Sequence, residues 1–132
     1  MASRSRREIR GCAGTVPPVV AWALVLWTLF VWGTRIANIL TDGGGAGALA
    51  VAVGLTILAL AAAASLLGAR LPQALPALAV ATIVVWAVRV PLVLAHDHEA
   101  GFVVVHLVLA AVSVALAVGA LRSVRVRRLA RA

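Results

Sequence analysis

Four long apolar runs alternate with short polar breaks along the chain. The runs cover residues 18–40, 46–68, 75–95 and 101–121. A helix needs about 20 apolar residues to cross a bilayer core about 30 Å thick, and each run supplies them. Backbone groups in lipid must bond within their own segment, so each run predicts a membrane-spanning helix. The breaks carry turn chemistry: TDGGGAG after the first run, GARLPQALP after the second and HDHEAG after the third. Pro72 and Pro76 stand where the third helix opens. The pattern predicts an all-α fold, a four transmembrane helix bundle over residues 18–121. Basic segments flank it, residues 1–17 before and 122–132 after.

Composition agrees with that pattern. Hydrophobic residues make up 64% of the 132 positions and the mean hydropathy is +1.09, more than a soluble domain of this size can hide. All 12 basic residues are arginine, and the net charge is +8. The arginines flank apolar runs rather than forming a basic face, so the high pI points to topology and anionic lipid headgroups and not to nucleic acid. The single Cys12 excludes an internal disulfide and cannot build a metal site alone. SRREIR before an apolar run has the look of a twin-arginine export signal, but no small-x-small cleavage site follows, so a cytoplasmic flank is the expected reading.

Arginine placement sets the orientation. Arg4, Arg6, Arg7 and Arg10 precede the first run, Arg70 lies in the second loop, and Arg122, Arg125, Arg127, Arg128 and Arg131 follow the fourth run. The first and third loops hold no arginine and carry Asp42, Asp97 and Glu99. The positive-inside rule then predicts a multi-pass plasma-membrane protein with both termini in the cytoplasm. The tail reads as a stop-transfer flank, with a lipid-hugging extension of the fourth helix as its alternative.

Two arginines break this economy of charge, Arg35 in FVWGTRIANILTD and Arg89 in VVWAVRVPLVLAHD. Shifted by 54 residues, the chain lays Thr28 on Thr82, Trp32 on Trp86, Arg35 on Arg89 and Leu40 on Leu94. This predicts a tandem duplication of a two-helix hairpin, giving parallel repeats about an axis along the membrane normal. Steps of seven put Thr28, Arg35 and Asp42 on one helix face, and Thr82, Arg89 and His96 on its counterpart. Each arginine lies five or six residues before its expected helix end, about 8 Å deep. Helical side chains lean toward the N-terminus, here the membrane centre, so outward snorkelling is the harder course and an interior position is favoured. Candidate partners are Asn38, Asp42, Asp97 and free carbonyls at the helix ends, including that of Ala87, which Pro91 leaves without a donor. Trp32 and Trp86, about one turn before each arginine, are placed to stack on a guanidinium. Trp22 and Trp32 also suit interfacial belts.

The stretch HDHEAGFVVVH adds His96, His98 and His106 beside Asp97 and Glu99. Imidazoles with carboxylates suit zinc or copper(II), yet no ligand spacing for a metal is present. No metal and no cofactor is expected; His96, His98 and His106 are the residues a metal would use. A carboxylate at the start of the fourth helix has a plainer role against the helix dipole. His106 shares a face with Ala110, Ser113 and Ala117, which predicts that this face points into the bundle. Small residues also recur at Ala46, Ala50 and Gly54, and at Ala111, Ala115 and Gly119, ridges expected to serve internal packing, with a homo-oligomer or larger membrane complex as the alternative use.

WTLFVWGTRIANILTD and WAVRVPLVLAHDHEAGFVVVHLVLAAVSVALA resemble a group of small actinobacterial four-span membrane proteins of unknown function. The shared pattern is W-x-x-R in spans one and three, then a D-H pair, F-x-x-V-H and S-x-x-L-A, over roughly residues 27–117. Here Asp97, His98, Phe102, His106 and Ser113 hold those positions. The resemblance implies a four-span fold and an outer polar cluster, and no activity.

No phosphate loop, nucleophile with a base, or paired acids at membrane depth appears, so an enzyme is not expected. Two function classes follow. In one, a non-enzymatic accessory or interaction protein uses Arg35, Asn38, Asp42, Arg89, His96, Asp97, His98 and His106 as an internal clamp, each arginine held by an acid from the other hairpin. In the other, the arginines of a small oligomeric channel or transporter receive an anion or a lipid headgroup.

Overall fold

The computed structural model describes residues 18–129. Four helices follow one another, α1 (Pro18–Asp42), α2 (Ala46–Leu66), α3 (Ala74–Ala95) and α4 (Ala100–Leu129), and all four are long and apolar enough to cross a membrane. The basic flank expected over residues 1–17 lies outside the described residues.

The breaks work as their sequences imply. Gly43, at φ 75°, takes the left-handed conformation that ends α1. Its N–H and that of Gly44 both donate to Ile39 O, at 3.1 and 3.0 Å. Gly68, at φ 110°, does the same service after α2, while Ala69 N–H reaches Ala64 O at 2.9 Å. Pro76 falls in the first turn of α3, where its missing N–H is not needed. The carbonyl of Glu99 accepts from Val103 N–H at 3.2 Å and starts α4. Two helix ends differ from expectation. α1 runs on to Asp42, and α4 continues through the tail to Leu129, because no glycine or proline after Gly119 stops it. Ser123 is buried in that extension, whereas Arg122 and Arg125 are exposed.

Each helix packs on its sequence neighbour and α4 closes back on α1, most extensively within the hairpins α1–α2 and α3–α4. The inward faces of α2 and α4 are built mainly from small residues at heptad-like spacing. On α2 these are Ala52, Ala59 and Ala62, beside Leu55; on α4 they are Ala110, Ser113, Ala117 and Ala120, all buried. The face below His106 therefore does point inward. Many other large apolar side chains, among them Leu26, Phe30, Ile57, Val84 and Val108, are exposed on the outside. Small inward faces on α2 and α4 meet the larger buried Leu24, Trp32, Leu78 and Trp86 of α1 and α3, close packing of the kind that holds helices together in lipid.

The ridges named from sequence are mostly not the internal ones. Ala46, Ala50, Gly54, Ala111 and Ala115 all face outward. Of the two ridges, only the Gly119 end is engaged, where an added Cβ would meet Val20 Cγ1 at 3.0 Å. Alanine is so frequent that two competing small stripes exist on each helix, and composition alone does not choose between them. Trp32 is likewise a core residue rather than part of a belt, while Trp22 packs against the core partly buried. α1 and α4 are also tied by Trp27, whose Nε1–H donates to Ser113 Oγ at 2.9 Å.

The 54-residue correspondence extends to burial. Leu24 and Leu78 are fully buried, as are Val25 and Ala79; Thr28 matches Thr82, Trp32 matches Trp86, and Ile39 matches Val93.

Candidate functional site

Three side chains arrive at one level of the bundle. Arg35 lies seven residues before the end of α1 at Asp42 and Arg89 six before the end of α3 at Ala95. That places them about 9–10 Å below the helix ends, at about 1.5 Å per residue. His106 lies six residues into α4, which is the same depth. Arg35 is deeper than its sequence suggested because α1 is longer.

Between them is a cavity of about 200 Å³, lined on α1 by Trp32, Arg35 and Asn38, on α3 by Trp86 and Arg89, and on α4 by His106. Trp32 (3% exposed) and Trp86 (4% exposed) form its buried floor, their ring centroids 6.5 Å apart. The pairing crosses the hairpins. Arg89 lies with Cζ 5.8 Å from the Trp32 ring centroid, so the tryptophan of the first hairpin supports the arginine of the second.

Donors here outnumber acceptors. Arg35 Nε and Trp86 Nε1 are both buried without a hydrogen-bond partner, and neither group can accept. One turn below Trp86, Thr82 Oγ1 is a third buried atom without a partner. Its counterpart Thr28 instead donates to Leu24 O at 2.7 Å. Among the described residues no carboxylate forms an ion pair with either guanidinium, and the two arginines line the same cavity. The expected clamp, with each arginine held by an acid from the other hairpin, is therefore not formed. Asp42 stands exposed at the tip of α1, accepting from Thr41 Oγ1 at 3.3 Å. Asp97 is exposed in the third loop and lines neither this cavity nor the cleft described next.

A second, larger cleft of about 660 Å³ shares Arg35 and Arg89 as a common wall and reaches His96 and His98 just beyond the C-terminal end of α3. The three histidines do not converge; among the described residues no group of three His, Cys, Asp or Glu could hold a metal ion. They form a ladder of rings instead. His96 stacks on His98 at 6.2 Å, His98 meets Phe102 at 4.6 Å, and Phe102 meets His106 at 4.0 Å. His96 Nδ1 bonds Leu92 O at 2.8 Å and His106 Nδ1 bonds Phe102 O at 2.9 Å. A carbonyl only accepts, so both Nδ1 atoms carry the hydrogen, and Nε2 is left to face other partners. Each ring is thus held by its own helix, which also explains why the rings do not gather around a shared ion.

The structure brings Arg35, Asn38, Arg89 and His106 to the first cavity and Arg35, Arg89, His96 and His98 to the second. Trp86 as an unpartnered donor was not picked out from the sequence, although its register with Trp32 and its place between Thr82 and Arg89 on one face were visible. No family model, curated protein or solved structure matches the chain.

Proposed function

We propose that this chain is a small multi-pass protein of the plasma membrane that binds an anionic group between Arg35 and Arg89. The role is binding, as part of a channel, transporter or accessory assembly, and not catalysis. One observation carries it: two arginines line one cavity beside the buried, unpartnered Trp86 N–H, and no carboxylate among the described residues lines it with them. Intramembrane charge without a partner is expensive, and an external anion is the partner that removes the cost. The accessory-protein reading with an internal clamp needs an acid against each arginine, and Asp42 and Asp97 are elsewhere.

Tryptophan emission tests this directly, since Trp32 and Trp86 line the cavity. Titration of the purified protein with inorganic phosphate, and separately with a short-chain phosphatidylglycerol, is expected to give a saturable change with at least one of them. Phosphatidylcholine is expected to give none. A flat response to both anions contradicts the proposal.

The same reading places the arginine level near the outer face, with both termini and Arg70 on the cytoplasmic side and the terminal arginines against anionic headgroups. In a Cys12→Ser background, Gly45→Cys is expected to react with a membrane-impermeant maleimide in intact cells. Gln73→Cys is expected to react only after lysis. The reverse pattern inverts the orientation. Duplication of an ancestral hairpin accounts for the matched burial of α1 and α3, and membership of the small actinobacterial four-span group accounts for the outer motif.

A further inference from the structure

The larger cleft has a shape that a small ion does not use. It follows the seam between α2 and α3, with Val51 on one side and Val84 and Val88 on the other. These three valines are exposed on the outside of the bundle, so the seam is open sideways to the bilayer. Its depth is also informative. Val84 lies eleven residues before the end of α3 at Ala95, about 16 Å below the outer end at about 1.5 Å per residue. The cleft therefore runs from the outer surface at His96 and His98 to about the middle of a core about 30 Å thick. Its charged groups are the two arginines, and below them its walls are apolar.

Resting on the anion-binding reading above, we propose that the ligand is an anionic phospholipid of the outer leaflet. Its phosphate lies between Arg35 and Arg89, and one acyl chain lies in the α2–α3 seam against Val51, Val84 and Val88. Charge complementarity selects the headgroup, because two guanidinium groups with no acid favour an anionic phospholipid over a zwitterionic one. The lateral opening selects the lipid over a free ion. Hydrocarbon satisfies apolar walls that water or a hydrated ion leaves poorly solvated.

Native mass spectrometry of the full chain released from nanodiscs of mixed phosphatidylglycerol and phosphatidylcholine reads the occupant. Three chains are compared: the natural sequence, a seam-filled Val84→Trp, Val88→Trp variant, and the Arg35→Gln, Arg89→Gln variant. Val51→Phe fills the seam from the α2 side and serves if the tryptophan variant does not fold. The natural chain is expected to keep one phosphatidylglycerol, preferred about tenfold or more over phosphatidylcholine. Filling the seam is expected to lower that retention about tenfold or more, while binding of inorganic phosphate persists. The arginine variant is expected to lose both.

A seam-filled chain that keeps phosphatidylglycerol like the natural one overturns the lipid assignment. So does a natural chain that binds inorganic phosphate and retains no phosphatidylglycerol; either way the anion site itself stands. An arginine variant that retains lipid and still binds inorganic phosphate overturns both readings.

Discussion

Replacing Arg35 and Arg89 together by Gln is expected to leave a folded protein that binds its anion at least about 100-fold more weakly. Each hydrogen bond to a charged group contributes about 1.5–3 kcal/mol, and about 1.4 kcal/mol is a factor of ten, so losing two such partners exceeds two decades. Folding is expected to survive for a separate reason. Among the described residues the arginines are not tied to acids, and they line the same two cavities as like charges. Their removal takes away repulsion and desolvation, and no salt bridge is lost. Tryptophan titration reads the affinity, and resistance to denaturant in bicelles reads the fold. A double variant that binds normally removes the arginines from the site. One that fails to fold makes them architecture.

Gly119→Leu is expected to produce the largest loss of stability among single changes outside the site. An added Cβ there meets Val20 Cγ1 at 3.0 Å, and the rest of a leucine has to push α4 away from α1. Overpacking of this kind costs typically about 1–3 kcal/mol. The contact that yields is one of the less extensive in the bundle, so separation of the two hairpins is the expected outcome. Gly54→Leu is the matched control. Nothing lies within 4 Å of its added Cβ, and the position faces outward, so little change is expected. Steric-trap unfolding of the two variants in bicelles separates them. Equal losses for both would mean that Gly54 is covered by another copy or another protein, restoring the oligomer expected for that ridge.

The four spans and their turns were legible because lipid leaves few choices. A run of about 20 apolar residues must be a helix, and TDGGGAG or GARLPQALP must break it. The inward face of α4 was legible too, since His106, Ala110, Ser113 and Ala117 differ in kind from their neighbours. What could not be read was the choice among small-residue stripes. Ala46–Ala50–Gly54 and Ala52–Ala59–Ala62 are alike in composition, and only the register of the whole ring puts the second inside.

The site shows the same division. Arg35 and Arg89 were identified by rarity within apolar runs, and their common level followed from the 54-residue offset. The acids were misjudged for a geometric reason. Asp42 shares the seven-residue stripe of Arg35, but it ends the helix about two turns higher, where water and Thr41 Oγ1 compete for it. Asp97 belongs to a loop whose conformation no periodicity describes. The crossed support of Arg89 by Trp32 also depends on how the hairpins face one another, which sequence spacing within a hairpin does not encode.

The central claim is that two like charges share one cavity without an internal acid. A double-mutant cycle on stability tests it most directly, using Arg35→Gln, Arg89→Gln and the pair in nanodiscs of phosphatidylcholine alone, where no anionic lipid is supplied. The account predicts repulsive coupling: each single variant is at least as stable as the natural chain, the double variant gains less than the sum of the two, and Asp97→Asn changes neither. Strong destabilisation by either single variant, reproduced by Asp97→Asn or Asp42→Asn, would show that the arginines are held by acids and would contradict the account.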